Sequence, residues 1–229
     1  MIQTRIPVEP FYDQDGITIY NADCRKLLPW LEIDRVVTDP PYGISFAGKR
    51  QGTDPVNETP YDQYLDSVEN FAKIVVPVIA LSCQIAKTVA TFCPVRHIGM
   101  MPVPSDAGGI WQENGKGLSP FGFTSLHAVL YYGEDPKRQG RVGGSWPTGF
   151  RHDGKATVCK QHPCSKPVEW MRWLINRLSN EGDVIADPFM GAGTTLLAAK
   201  LEGRKAIGIE ISKPYCKAAV DRLKQKTLW

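Results

Sequence analysis

Asp183-Val184-Ile185-Ala186-Asp187-Pro188-Phe189-Met190-Gly191-Ala192-Gly193-Thr194-Thr195-Leu196-Leu197-Ala198-Ala199 passes from a β-branched run through a glycine loop into an alanine-rich apolar stretch. That order predicts a strand, a tight loop and a helix. Gly191 and Gly193 let the backbone approach a ligand closely, and Thr194 and Thr195 either cap the helix or donate hydrogen bonds to what the loop holds. A P-loop is excluded, because the Gly-Lys-Ser/Thr ending that such a loop needs is missing.

Outward from the loop, Ala206-Ile207-Gly208-Ile209-Glu210-Ile211 reads as the next strand. The acid that ends it lies about twenty residues past the glycines, the place from which a Rossmann-like nucleotide site accepts hydrogen bonds from ribose hydroxyls. A second motif lies far upstream, where the β-branched run Arg35-Val36-Val37-Thr38 gives way to Asp39-Pro40-Pro41-Tyr42. Two prolines cannot continue a ladder, so the Asp39 carboxylate and the Pro40 carbonyl are left as acceptors at a strand's carboxyl end. Open α/β sheets bind their ligands there. Two acceptors suit an amino group, and the flat face of Tyr42 suits a base stacked against it.

With both motifs in hand, the sequence resembles the amino-methylating DNA methyltransferases, which move a methyl group from S-adenosylmethionine to an exocyclic base amine. The resemblance covers nearly the whole chain. Because Asp39-Pro40-Pro41-Tyr42 precedes the glycine loop, it is similar to the permuted subgroup called β. The resemblance implies an α/β Rossmann-like methyltransferase fold, circularly permuted, with helices on both faces of a mostly parallel sheet and one antiparallel strand, supplied by Leu126 to Gly133. It implies catalytic roles for Asp39, Pro40, Pro41 and Tyr42. It also implies a cofactor site drawn from Asp187, Pro188, Phe189, Gly191, Gly193, Thr194 and Glu210. Relatives carry a His-Pro-x-x-Lys-Pro segment beside the methionine end of the cofactor, and His162-Pro163-Cys164-Ser165-Lys166-Pro167 matches it, adding His162 and Lys166. Asp23, after the strand-like Ile17 to Ala22, is read two ways: it caps the helix from Cys24 to Leu31, or it contacts the cofactor near the adenine.

The rest of the chain is expected to alternate. Tyr61 to Lys73 has amphipathic helical spacing, Val78 to Cys83 reads as a buried strand, Gln84 to Phe92 as a helix and Val95 to Val103 as another strand. Pro104 to Thr124, rich in Gly, Pro and Asn, reads as a long loop. His127 reads as a satisfied strand residue in preference to a catalytic base. Val168 to Ile175 and Tyr215 to Leu223 read as helices, with Pro167 suited to the start of the first. Through the family's sheet, the strand at Ile17 is expected beside the one ending at Glu210.

The 229 residues fit one catalytic domain, residues 1–229, with a short recognition insert at about 133–161. The net charge of +3 is small, but Pro136 to Lys166 holds seven cations against the single acid Asp153. Trp146 and Phe150 are interleaved with them. This cluster supplies candidate DNA contacts, Lys137, Arg138, Arg141 and Arg151, and the glycine-containing loop after Tyr42 supplies Lys49 and Arg50. So short an insert leaves room for help from a second subunit, as in a homodimer, or from that loop. Double-stranded DNA is the expected partner; a cognate restriction nuclease and the recognition sequence are not written in the residues.

The apolar runs read as too short for a membrane span, and no leader-like segment follows Met1, so the expected location is cytoplasmic. The six cysteines show no framework spacing and read as thiols. Cys159, His162 and Cys164 lack a fourth ligand at a usual spacing, so no metal is expected. The expected reaction is methylation of adenine in DNA, with S-adenosylhomocysteine as the second product. The alternative is the exocyclic amine of cytosine, for which relatives more often carry serine at the first catalytic position. A Rossmann oxidoreductase is a remote alternative, opposed by Asp187-Pro188-Phe189 where a Gly-x-Gly-x-x-Gly turn would start.

Overall fold

The computed structural model describes residues 6–44, 65–111, 126–133 and 166–225. Its strands are β1 (Tyr12–Gln14), β2 (Ile17–Asn21), β3 (Arg35–Thr38), β4 (Thr88–Cys93), β5 (Asp106–Trp111), β6 (Leu126–Gly133), β7 (Val184–Asp187) and β8 (Lys205–Glu210). They form one sheet in the order β1-β2-β8-β7-β3-β4-β6-β5. Neighbours from β2 through β4 pair in parallel, while β6 runs against β4 and β5 against β6. β6 is the antiparallel strand that was expected, and the three-residue edge strand β1 also runs against its neighbour. β2 lies in register with β8, from Ile17 opposite Ala206 to Asn21 opposite Glu210.

Alternating residues of each strand feed opposite faces. Val37, Ala90, Phe92, Val129 and Ile185 pack under α4 (Val168–Leu178), α5 (Thr194–Leu201) and α6 (Lys213–Lys224). Val36, Val89, Leu130 and Ala186 face the other way, against Phe71, Val75 and Ile79. α1 (Cys24–Leu27) joins that second layer, and Pro29 turns its continuation into a 3₁₀ turn over Leu28–Trp30.

The segment between β3 and β5 departs from the sequence reading. One continuous helical stretch runs through α2 (Val68–Asn70), a π-helical turn (Phe71–Val75) and α3 (Val76–Ile85). Val78 to Cys83 is therefore helix and not strand. Thr88 to Phe92, placed in a helix by the sequence, belongs to the strand Thr88–Cys93, whose six residues are all buried, so its two buried faces leave no alternation to read. Val95–Met100 is a 3₁₀ turn between Pro94 and Pro102 and not a strand. The stretch read as a loop contains β5, disguised by Gly108 and Gly109.

By length and composition Val68–Ile85 is also long and apolar enough to cross a membrane, against the expectation of shorter runs. In the fold it is the crossover from β3 to β4, laying Phe71, Val75 and Ile79 on the sheet.

Candidate active site

The order of the strands reverses between β7 and β3: the chain leaves β7 for β8 on one side and β3 for β4 on the other. Ligands of open α/β sheets bind at such a switch point, outside the carboxyl ends. Both motifs sit there. Arg35 and Val36 pair with Ile185 and Ala186, which brings the ends of the two strands abreast, and the Thr38 hydroxyl donates to the Asp187 carboxylate at 2.6 Å. One buried hydrogen bond thus ties the last residue of β3 to the last of β7.

Asp187 is 3% exposed and also accepts from the Phe189 N–H at 3.1 Å and from the Thr195 hydroxyl. Burial outweighs these bonds and pushes its carboxyl up to about 6. Gly193 has φ +75 and an added Cβ would lie 2.9 Å from the Ala219 Cβ, so this turn of the loop fits against α6 only without a side chain. Glu210 closes the loop from β8: its two carboxylate oxygens accept the Gly191 N–H at 3.0 Å and the Ser212 N–H at 2.8 Å. Burial pushes this acid up to about 7. Next to it, Asn21 at the end of β2 donates to the Glu210 and Ile211 carbonyls, both at 2.9 Å.

Asp23 is the N-cap of α1, accepting the Arg25 N–H at 3.0 Å and pairing with the Arg25 guanidinium at 2.6 Å, which holds its carboxyl below the usual range. Pro188 is buried, and Phe189 packs between the two smaller core clusters. The Thr194 hydroxyl accepts from the buried Arg222 guanidinium at 2.9 Å, a contact that points it toward α6.

At the end of β3, Asp39 accepts the Tyr42 hydroxyl at 2.8 Å. The Lys166 ammonium donates to both of its oxygens, at 2.9 and 2.8 Å, and lies 4.8 Å from the Tyr42 ring centre and 5.2 Å from that of Phe92. Lys166, two residues before α4, therefore touches the candidate catalytic acid directly. His127 stands edge-on to Trp170 with ring centres 5.0 Å apart, and burial, helped by the nearby Lys166 charge, lowers its pKa to about 4. It is a neutral imidazole at neutral pH.

Lys49, Arg50, Lys137, Arg138, Arg141, Arg151 and His162 lie outside the described residues, as do Cys159 and Cys164.

The matches with known proteins fit this geometry. The family model described as DNA methylase, for N6 and N4 methylation, matches residues 110–221, a span that includes the glycine loop and Glu210. Over that span the chain is similar to the N6/N4 DNA methylases. Among relatives, the orphan methyltransferase M.BamHII of Bacillus amyloliquefaciens is 46% identical over 78 residues, which is 34% of this chain and 29% of that protein. The Type II methyltransferase M2.LlaDCHI of Lactococcus lactis subsp. cremoris is 26% identical over 94% of this chain and 92% of its own. Two solved structures share the fold. M1.HpyAVI in complex with SAM has a TM-score of 0.62 at 23% identity, over 91% of this chain and 99% of that one. The cytosine-N4-specific PvuII DNA methyltransferase has a TM-score of 0.64 at 17% identity, over 98% and 92%.

Sequence reasoning missed Thr38, Asp66, His97 and Arg222. Thr38 alone had a signal, since it immediately precedes Asp39 at the strand end. The others act on backbone or on a partner remote in sequence.

The two raised carboxyls predict a pH dependence. Because Asp187 and Glu210 bind protons more tightly folded than at their ordinary 3.8 and 4.5, their contribution is fully present below those values and is lost as pH rises through about 6 and 7. His127 acts oppositely, but only between its folded value near 4 and its ordinary 6.5. From pH 6.5 to 8 the thermal midpoint should therefore fall, and Glu210→Gln should flatten that slope. A wild-type midpoint that rises across this window would contradict the buried assignment of Glu210.

Proposed function

We propose that the protein transfers a methyl group from S-adenosylmethionine to the exocyclic amine of adenine in double-stranded DNA. The observation that carries the reading is the Asp39 carboxylate, set at the switch point and tied through Thr38 and Asp187 to the glycine loop. The cofactor site fits the donor set present. Glu210 and Asp23 bring carboxylates to the ends of neighbouring strands for hydroxyls and amines, and residues 187–193 bring backbone and the Phe189 ring. The structural relative solved with SAM supports the choice of cofactor. When bound, the cofactor supplies an electrophilic sulfonium methyl.

The chain's own residues prepare the nucleophile. An aromatic amine is poor because its lone pair is delocalised into the ring. Asp39 and the Pro40 carbonyl accept its two N–H bonds, which pulls the nitrogen out of plane and frees the lone pair for attack. A carboxylate offers about four acceptor positions. The Tyr42 hydroxyl and Lys166 take three of them, so one remains on the second oxygen. The proton that the methylated nitrogen sheds leaves along the same hydrogen bond. Tyr42 stacks on the flipped base, and the neutral His127 adds no competing charge. We assign Lys166 to the carboxylate: a second cation beside a sulfonium would be repelled, whereas one paired with Asp39 is balanced.

Asp39 favours adenine over cytosine, where serine is the commoner first residue in the family. Cytosine N4 is the second reading, kept because a cytosine-N4-specific enzyme shares the fold. Mass spectrometry of nucleosides from DNA of expressing cells decides between them. N6-methyladenine is expected, N4-methylcytosine would install the second reading, and neither base above background would refute both.

Arg138, Arg141 and Arg151 are proposed to hold the DNA backbone, with Lys137, Lys49 and Arg50 beside them. Neutralising the three arginines together should make the salt dependence of DNA binding shallower by up to about three units and weaken cognate and scrambled duplexes alike. An unchanged slope in a salt titration would place the duplex elsewhere.

A further inference from the structure

The residues that follow Asp39 leave the motif in a conformation that they cannot hold by themselves. Gly43 has φ +65, and a Cβ there would lie 2.8 Å from the Phe71 Cβ and 3.1 Å from the Ser67 carbonyl oxygen. Side chains from two distant elements take hold of this backbone. His97, on the 3₁₀ turn after β4, places Nδ1 2.9 Å from the Tyr42 carbonyl oxygen. A carbonyl only accepts, so the ring proton must sit on Nδ1. Asp66, just before α2, accepts the Gly43 N–H at 2.6 Å on one oxygen and the Ile44 N–H at 3.3 Å on the other. Each of these polar side chains is only 6% exposed. Beside His97 and under Gly43 stands the fully buried Phe71, first residue of the π-helical turn, with its ring centre 4.9 Å from that of His97. Single π turns break the regular register of a helix and often mark sites of function.

We propose that Asp66 and His97 are positioning residues for methyl transfer, a clamp that fixes the backbone of Tyr42, Gly43 and Ile44. The chain of contacts is short: the clamp sets the Tyr42 backbone, and the Tyr42 hydroxyl in turn donates to Asp39 at 2.8 Å. Loosening the clamp therefore misaligns both the stacking face and the acceptor. The proposal rests on the reading of Asp39 and Tyr42 as the amine site. Neither clamp residue lies on the glycine loop or β8, so cofactor affinity should be untouched.

Substitutions at His97 separate the hydrogen bond from packing. His97→Phe keeps a ring against Phe71 and loses the donor; His97→Asn loses the ring but places an amide N–H near the Nδ1 position. The expected result is a kcat about 10- to 100-fold lower for His97→Phe, with cofactor Kd unchanged, and recovery to within about threefold of wild type for His97→Asn. Asp66→Asn, which turns an amide donor toward one of the two N–H groups, should behave like His97→Phe. A second readout does not depend on catalysis. Hydrogen exchange by mass spectrometry should quicken at Gly43 and Ile44 in His97→Phe and Asp66→Asn while β3, β4 and β7 keep their protection. The proposal is overturned if His97→Asn is as slow as His97→Phe, if kcat follows the thermal midpoint across the variants, or if exchange at Gly43 and Ile44 is unchanged. Were wild-type protein to transfer no methyl group to DNA, the functional reading would fall, and the exchange measurement would still decide the clamp.

Discussion

Asp39→Ala is expected to lower methyl transfer by about 10²- to 10³-fold or more while S-adenosylmethionine affinity stays within about twofold. The carboxylate is assigned to the amine, and the groups that would hold the cofactor lie on other strands: Glu210 on β8, Asp187 on β7 and Asp23 after β2. The substitution also leaves the Lys166 ammonium, 10% exposed, facing aromatic rings without its carboxylate. Turnover must therefore be compared under conditions where the variant is folded, with cofactor affinity by calorimetry as the control. Turnover near wild type would end the assignment of Asp39; a parallel loss of cofactor affinity would place it in the cofactor site.

Lys166→Met is the second large effect, and it falls on stability. Removing one partner of a mostly buried ion pair strands the other, at about 3 to 5 kcal/mol. With Asp39 still 19% exposed, the lower end, about 3 kcal/mol, is expected. Removing both charges should cost much less, because two apolar side chains leave no stranded charge. The double variant Asp39→Ala/Lys166→Met should accordingly be more stable than Lys166→Met alone, a clear departure from additivity. It should still be inactive. Denaturant midpoints of the four proteins give the coupling directly. If the two single losses simply add in the double variant, the pair is not a coupled unit, and the role given to Lys166 fails with it.

The parts of the fold that sequence made legible were those with local signals. β3, β7 and β8 are each apolar, β-branched runs closed by an acid, Asp39 just after β3 and Asp187 and Glu210 at the ends of the other two, and α5 follows its glycines directly. Between Val68 and Val103 the local signal misled. Val78 to Cys83 is a continuous apolar run, a pattern that a buried strand and a buried helix share, and assigning it to a strand displaced every element after it until β6. The register recovered at β6 because Leu126 to Gly133 is long and bounded by glycine. In the candidate site, Asp39, Asp187 and Glu210 stand out in the sequence because each lies at a strand end next to a loop-forming residue, and Tyr42 because it closes the Asp-Pro-Pro-Tyr motif just before Gly43. The Lys166 contact with Asp39 spans 127 positions and was not. Nor were Asp66 and His97, which serve main-chain atoms and therefore leave no pairing of side-chain types to notice.

The pairing of β2 with β8 also governs when the sheet can be completed. Asn21 and Glu210 are 189 positions apart, so β2 waits on the ribosome for its parallel neighbour for about 10 to 40 s at usual rates of synthesis. Contacts so distant in sequence are closed late and slowly. β3, β4, β5 and β6 are all made before β7 begins, so the half that carries Asp39 can assemble first, with one edge of β3 open. Until Val184 to Asp187 covers that edge, Arg35 to Thr38 offers unpaired backbone to any other extended chain. The nascent chain is thus most exposed to misassociation along the strand that leads into Asp39, and a chaperone that holds extended apolar segments should act there first.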